Sequence, residues 1–134
     1  MLEKHISQLF EEMNLGQIPA FEKEGTAQIV LGTYPIQILK LDTGAHFSAA
    51  IAPLPIKDQE ELLLKIMAAN FLGQGTGGGV LGLKEDESSL TLSLSLPYEM
   101  NYKAFKDAIE EFVNYIEYWK TEVAQYKEMQ KKPE

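Results

Sequence analysis

The stretch at residues 62–71, LLLKIMAANF, constrains the fold most, because it is apolar on nearly every side of a helix. Asp58 is a suitable N-cap residue and Glu61 follows three positions later, so a helix is predicted over residues 58–71. Lys65 is almost the only charge in its later part. A helix that is apolar all round must be buried all round, and a chain of 134 residues has little interior to cover both sides. One side is therefore predicted to contact another subunit.

The patterns before this segment indicate one helix and three strands. Apolar residues recur at steps of four and three over residues 2–13, which is typical of an amphipathic helix. Gly16 is predicted to take the left-handed conformation that closes its last turn. Short strands are predicted at residues 26–31, 34–41 and 46–52. Turn-forming residues between the strands make an antiparallel meander the simplest connection.

The patterns after the segment indicate two strands and a long helix. Strands are predicted at residues 80–83 and 90–96, the second with leucines alternating with serine and threonine. Asn101 is a suitable cap for the last helix, whose apolar residues recur at steps of four and three as far as Tyr126. This order predicts an α+β fold, αβββαββα, in one domain over residues 1–134, with the long helix packed across the sheet.

The composition narrows the possible functions. The net charge is -8, which argues against nucleic acid and anionic membranes as partners. No apolar run approaches the ~18 residues of a membrane span, and the N-terminus lacks the pattern of a secretory signal, so a cytoplasmic location is expected. Cysteine is absent, which removes disulfides and thiol nucleophiles.

Catalytic and metal-binding motifs are weak. His5 and His46 are the two histidines, and neither belongs to an H-E-x-x-H pattern. No G-x-S-x-G elbow is present, and the acidic turn at residues 85–87 lacks the spaced ligands of a calcium loop. The chain is therefore not expected to be an enzyme, and no metal or cofactor is expected.

A glycine cluster matches the spacing G-x-G-x-x-G at Gly73, Gly75 and Gly78. A dinucleotide site follows a strand and opens a helix, whereas here a helix precedes and a strand follows. The lysine and hydroxyl positions of a phosphate-binding loop are occupied by Gly79 and Val80. The cluster is therefore predicted to turn the chain rather than to hold a nucleotide.

A resemblance to a known family covers essentially the whole chain. The residues that carry it are Leu62-Leu63-Leu64, Ala69-Asn70-Phe71, Thr76-Gly77-Gly78, Leu81-Gly82-Leu83, the alternating leucine strand, and Phe105, Phe112 and Trp119 in the last helix. With this order of elements, the chain resembles the class I type III secretion chaperones, the Tir-chaperone family. The amino-terminal third matches by pattern only.

The resemblance implies a small acidic homodimer in the bacterial cytoplasm. Such a chaperone binds the N-terminal chaperone-binding region of one or more secreted effectors and keeps it extended until export, without nucleotide. Contact with the secretion ATPase or other export components is a further expectation. The dimer-interface candidates are Leu63, Leu64, Met67, Asn70, Phe71, Val80 and Leu81. The effector-binding candidates on the first helix and first strands are Leu9, Phe10, Met13, Ile29, Leu31, Ile36 and Ile38.

Three alternatives stay open. Each effector-binding candidate is equally suited to packing the first helix on the sheet. A dimeric regulatory or adaptor module of the same fold would bind a folded partner or an amphipathic helix instead of an effector. A small nucleotide-binding enzyme using residues 73–79 is the disfavoured alternative.

Overall fold

The computed structural model describes residues 2–84 and 88–131, so the acidic turn at residues 85–87 lies outside the described part of the chain. The elements are α1 (Leu2–Met13), β1 (Thr26–Leu31), β2 (Tyr34–Lys40), β3 (Gly44–Pro53), α2 (Glu60–Asn70), a 3-10 turn (Phe71–Gly73), β4 (Val80–Leu83), β5 (Ser89–Pro97) and α3 (Tyr102–Lys131). The predicted α+β fold and the order αβββαββα are confirmed. Each predicted strand lies within two residues of the observed bounds.

The five strands form one sheet in the order β1-β2-β3-β5-β4, with every neighbouring pair antiparallel. The predicted meander of the first three strands is confirmed. Phe47 in the central strand β3 lies opposite Ile38 on one side and Leu94 on the other. These residues are buried, while Gln37 and Ser95, each one position away, are exposed. One face of the sheet is therefore covered and the other is open, as strand geometry requires.

The covered face packs against the helices. The α3 helix has 30 residues, a length of ~45 Å, and contacts β3 and β5. Its buried stripe consists of Phe105, Ile109, Phe112, Ile116, Trp119 and Val123. These side chains join those of α1 and the strands in a single hydrophobic core. The 4-3 spacing predicted from the sequence therefore marks the face of α3 that covers the sheet.

The start of α3 and the end of α1 agree with the predicted cap and stop. The Oδ1 atom of Asn101 accepts the backbone N–H of Ala104 at 2.8 Å, as an N-cap should. At the end of α1, Asn14 already has φ 56°, and the N–H of Leu15 donates to the carbonyl of Phe10 at 3.0 Å. Gly16 has φ 87°, so the predicted left-handed glycine is confirmed, and Asn14, which tolerates the same conformation, already turns the chain two residues earlier.

The predicted capping box of α2 is wrong. The helix begins at Glu60, and Gln59 occupies the N-cap position without a side-chain cap hydrogen bond. Asp58 has φ 55°, and its carbonyl accepts hydrogen bonds from the side chains of Tyr126 and Gln130. Contacts from the far end of the chain fix the backbone here, which local capping patterns cannot anticipate.

Candidate protein-binding surfaces

The two sides of α2 have different environments. Leu62, Ile66 and Ala69 pack into the core. On the opposite side, Leu64 is 63% exposed and Met67 is 67% exposed. Exposed apolar side chains that stand together mark an interaction site more often than scattered ones do. The α2 face is defined here by Leu64, Met67, Phe71, Leu72 and Val80, all of which are exposed.

Leu72 is the most unusual member of the α2 face. It has φ 55° and ψ 18°, the left-handed conformation, and its side chain is 80% exposed. A left-handed backbone is unfavourable for leucine, and the side chain gains nothing from burial in the isolated chain. Strained residues cluster at functional sites, where the side chain has a use that offsets the strain. Leu72 is not among the interface candidates predicted from the sequence.

The glycine cluster is a packed connector between α2 and β4. A Cβ atom on Gly75 would lie 2.6 Å from the Cβ of Ala69, and one on Gly77 would lie 2.9 Å from the ring of Tyr115. The indole N–H of Trp119 donates to the carbonyl of Gly75 at 2.9 Å, which ties the connector to α3. The glycines therefore allow close packing against two helices, in agreement with the predicted turn.

Asn70 clamps α2 to β4. Its Nδ2 donates to the carbonyl of Leu81 at 2.9 Å, and its Oδ1 accepts the N–H of Leu81 at 2.8 Å. Both backbone groups of one strand residue point to the same side, here away from β5. The amide thus pairs with the outer edge of β4 where another strand would otherwise pair.

A groove of about 790 Å³ runs between α2 and α3 beside the α2 face. Ala68 and Ala69 form one wall, and Tyr115 and Tyr118 form the other. At its end, the Nζ of Lys65 lies 2.5 Å from a carboxylate oxygen of Glu122. This hydrogen bond raises the pKa of Lys65. The groove is therefore largely apolar with a charged end.

The seven dimer-interface candidates occupy different depths. Leu64, Met67, Phe71 and Val80 are exposed, Leu63 and Asn70 are half-buried, and Leu81 is buried. The exposed four share the α2 face. Asn70 and Leu81 face each other through the amide clamp, and so support the α2 face from behind.

The seven effector-binding candidates are mostly interior. Six of them belong to the core: Leu9, Phe10, Ile29, Leu31, Ile36 and Ile38. Met13, at the end of α1, is 46% exposed. The periodicity that selected these residues is the periodicity of burial, so it finds the packing between α1 and the sheet.

The open face of the sheet is formed by the strand residues that alternate with the buried ones. A row of polar residues crosses four strands, Gln28, Gln37, Ser48 and Ser93, with the amides of the two glutamines bonded at 2.8 Å. Val30 and Leu39 are exposed apolar residues on β1 and β2, the two strands at one edge of this face. The strand alternation contained this signal, because each lies one position from an effector-binding candidate that is buried in the structure.

A polar clasp joins the end of α1 to the start of α3. The hydroxyl of Tyr102 donates to a carboxylate oxygen of Glu12 at 2.6 Å, and Lys106 Nζ lies 3.2 Å from the same oxygen. The hydrogen bond from Tyr102 lowers the pKa of Glu12. Burial, with the nearby Glu12 carboxylate, raises the pKa of Tyr102 to about 12.

His5 has a structural environment. Its Nε2 donates to the carbonyl of Met100 at 2.9 Å, and its ring packs against Tyr102 and Phe105. His46 bonds to the hydroxyl of Ser95 at 3.0 Å on the open sheet face. Within residues 2–84 and 88–131, no three His, Asp or Glu side chains are grouped so as to hold a metal ion. In the same residues, no helix combines the length and apolarity that crossing a membrane requires.

Residues 4–120 match the Tir chaperone protein (CesT) family. The chain belongs to this family. The match spans every element from α1 to most of α3, so the resemblance predicted from the sequence is confirmed and the family is one of chaperones. Among curated protein sequences, no relative matches.

Solved structures share the fold at low sequence identity. A chain of the ExsC-ExsE complex is 12% identical with a TM-score of 0.73, covering 91% of this chain and 92% of that one. A chain of the HopA1-SchA chaperone-effector complex is 16% identical with a TM-score of 0.65, covering 88% and 92%. A chain of the heterodimeric ExoU-SpcU complex from the type III secretion system of Pseudomonas aeruginosa is 12% identical with a TM-score of 0.68, covering 92% and 94%.

Proposed function

We propose that this chain is a homodimeric chaperone of type III secretion that binds an extended segment of an effector before export. The exposed apolar residues of the α2 face support the proposed dimer, and membership of the chaperone family supports the proposed client. Structural relatives include chains from a chaperone-effector complex and from a type III secretion system, which supports the client class. The whole chain acts as one domain in this proposal.

The second copy covers the α2 face. Met67, Phe71 and Leu72 project from a helix end and connector that are fixed to the core by the Asn70 clamp and by Trp119. In a twofold dimer the same patch on each subunit packs against its counterpart. Met67, near the centre of this face, is a suitable position for a disruptive charge.

The client docks at the α1 and β1–β2 end of the sheet. Val30 and Leu39 supply exposed apolar contacts on the open face there, and Met13 supplies one at the end of α1 on the covered side. The six buried candidates hold α1 against the strands between them. The β1 strand ends the sheet, so its outer backbone groups are available to an added extended chain. This mode of binding suits a client that has no folded structure of its own.

Three further expectations belong to the proposal. Holding a client needs no chemistry, so the chain has no catalytic activity. It works in the bacterial cytoplasm, where effectors are synthesised. It presents the loaded client to the secretion ATPase or another component of the export apparatus.

Two charge substitutions test the dimer and client surfaces separately. Met67→Glu should yield monomer in light scattering, while Val30→Glu, on the strand farthest from β4, should leave the dimer intact. Purification from the native cell with quantitative mass spectrometry should recover a secreted protein in stoichiometric amount with the wild type, and less with Val30→Glu. An intact dimer with Met67→Glu contradicts the interface, and recovery of no secreted protein during active secretion contradicts the client.

A further inference from the structure

Another groove lies at the C-terminal end of α3, at the link between β3 and α2. The corner groove has a volume of about 620 Å³ and is lined by Pro53, Leu54, Pro55, Ile56, Lys57, Asp58, Lys127 and Gln130. None of these residues belongs to the dimer or effector candidates. Ile56 is 95% exposed, the largest value among the exposed large apolar residues of the described chain.

The link that carries Ile56 is held in place at several points. Gln130 Nε2 donates to the carbonyl of Lys57 at 2.8 Å, and the hydroxyl of Tyr126 donates to the carbonyl of Asp58. Gln59 Nε2 donates to the carbonyl of Pro55 at 2.5 Å within the link itself. The two prolines further restrict the backbone. The isoleucine is therefore presented to solvent in a preorganised position, which reduces the entropy that binding must offset.

The α3 residues that hold the link lie beyond the part of the chain that matches the family. The family match ends at residue 120, whereas α3 continues to residue 131. Tyr126, Lys127 and Gln130 all belong to this extension. The corner groove is thus built by the extension together with the link.

The charges around the corner groove favour an acidic partner. Among the described residues, neither Lys57 nor Lys127 has a carboxylate within ion-pair distance. Asp58 is the one carboxylate in the lining, and Glu60 and Glu61 line a neighbouring groove on the other side of Gln130. The lining therefore holds two lysines against one aspartate, a local excess of positive charge on a chain whose net charge is -8. An aliphatic side chain and carboxylates would complement them.

We propose that the corner groove binds an extended acidic segment of a partner protein. An aliphatic side chain of that segment packs against Ile56 and the prolines, and its carboxylates pair with Lys57 and Lys127. The site is separate from the proposed dimer and client surfaces, so it holds or fails independently of them. It gives the chaperone a contact that stays available while dimer and client surfaces are occupied.

A displayed library of short random peptides tests the proposal on the full-length protein. Selection on the wild type, with counter-selection on the double variant Lys57→Glu/Lys127→Glu, should enrich peptides that combine an aliphatic residue with Asp or Glu. By fluorescence anisotropy, the double variant should bind an enriched peptide about tenfold or more weakly, and binding should weaken with added salt. The matched control Lys23→Glu/Lys103→Glu carries the same change in net charge at exposed lysines elsewhere and should bind as the wild type does.

Methyl NMR locates the bound peptide. The methyl signals of Ile56 and Leu54, which line the corner groove, should shift on titration, while that of Met67 on the α2 face should not. Gln130→Ala should weaken binding without unfolding the chain, because it releases the link. Enriched peptides without acidic residues, equal binding by the two double variants, or shifts at Met67 instead of Ile56 would each overturn the proposal, as would concentration-dependent self-association through Ile56.

Discussion

Replacing Leu72 with glycine separates folding from dimerisation. In the left-handed conformation leucine costs about 1–2 kcal/mol relative to glycine, and the greater freedom of glycine in the unfolded chain returns about 0.5–1 kcal/mol. The isolated subunit should therefore become more stable by up to about 1.5 kcal/mol. Full burial of a leucine side chain contributes about 1.5–3 kcal/mol, and 80% of this side chain is available for burial. Two copies per dimer then contribute about 2.4–4.8 kcal/mol, so the dimer dissociation constant should rise by about two to three orders of magnitude.

Sedimentation equilibrium measures the dissociation constant of the dimer. Urea unfolding at a protein concentration below that constant measures the stability of the separate subunit. Leu72→Ala is the control, because it removes most of the side chain but retains the left-handed strain. It should weaken the dimer without stabilising the subunit. An unchanged dissociation constant for Leu72→Gly, with the wild type dimeric, would show that the strained leucine has no part in the interface.

Three more perturbations test the local structure. Gly77→Ala should lower the free energy of unfolding by about 1–3 kcal/mol in urea melts, because its φ is positive and a Cβ would contact an aromatic ring; Gly32→Ala, with positive φ but open space, isolates the contact. Asn70→Ala should cost about 1–3 kcal/mol by leaving the backbone of Leu81 unpaired, with faster exchange of the Leu81 amide proton as a second readout. The raised pKa of Tyr102 stabilises the fold fully below pH 10.0, and this contribution should be lost towards pH about 12, seen as a falling melting temperature that Tyr102→Phe does not share.

Sequence periodicity predicted the elements well where one face of each is buried. The strands at Thr26–Leu31 and Val80–Leu83 and the helix at Leu2–Met13 have the predicted bounds. Burial of alternate or every third and fourth residue is a local property of the chain, so the sequence displays it directly. The predicted start of α2 is wrong because the side chains of Tyr126 and Gln130 donate hydrogen bonds to the carbonyl of Asp58. That contact joins residues about as far apart as half the chain, and no local pattern encodes it.

The candidate surfaces were harder to predict for a related reason. Apolar residues at regular spacing are those that pack the core, so selecting them for client binding favoured Ile36 and Ile38 over their exposed neighbour Leu39. Four of the α2 candidates are exposed, because apolar residues in this segment exceed what one buried face needs, and that excess is visible in the sequence. Leu72 follows the helix and lies outside any periodic pattern, so its exposure and backbone strain became evident only from the structure.

The composition of the open sheet face explains why one subunit would hold a client weakly. Its central row is formed by glutamine and serine, and the large apolar side chains Val30 and Leu39 lie on the strands β1 and β2 at one edge. Ordering a flexible client costs several kcal/mol, which short polar contacts do not recover. Pairing two subunits through the α2 face would link two such edges on one rigid frame, because β1 and β4 lie at opposite edges of the sheet. A client wrapped across both copies gains the second contact intramolecularly, so the dimer should bind far more tightly than a monomeric variant whose client surface is intact.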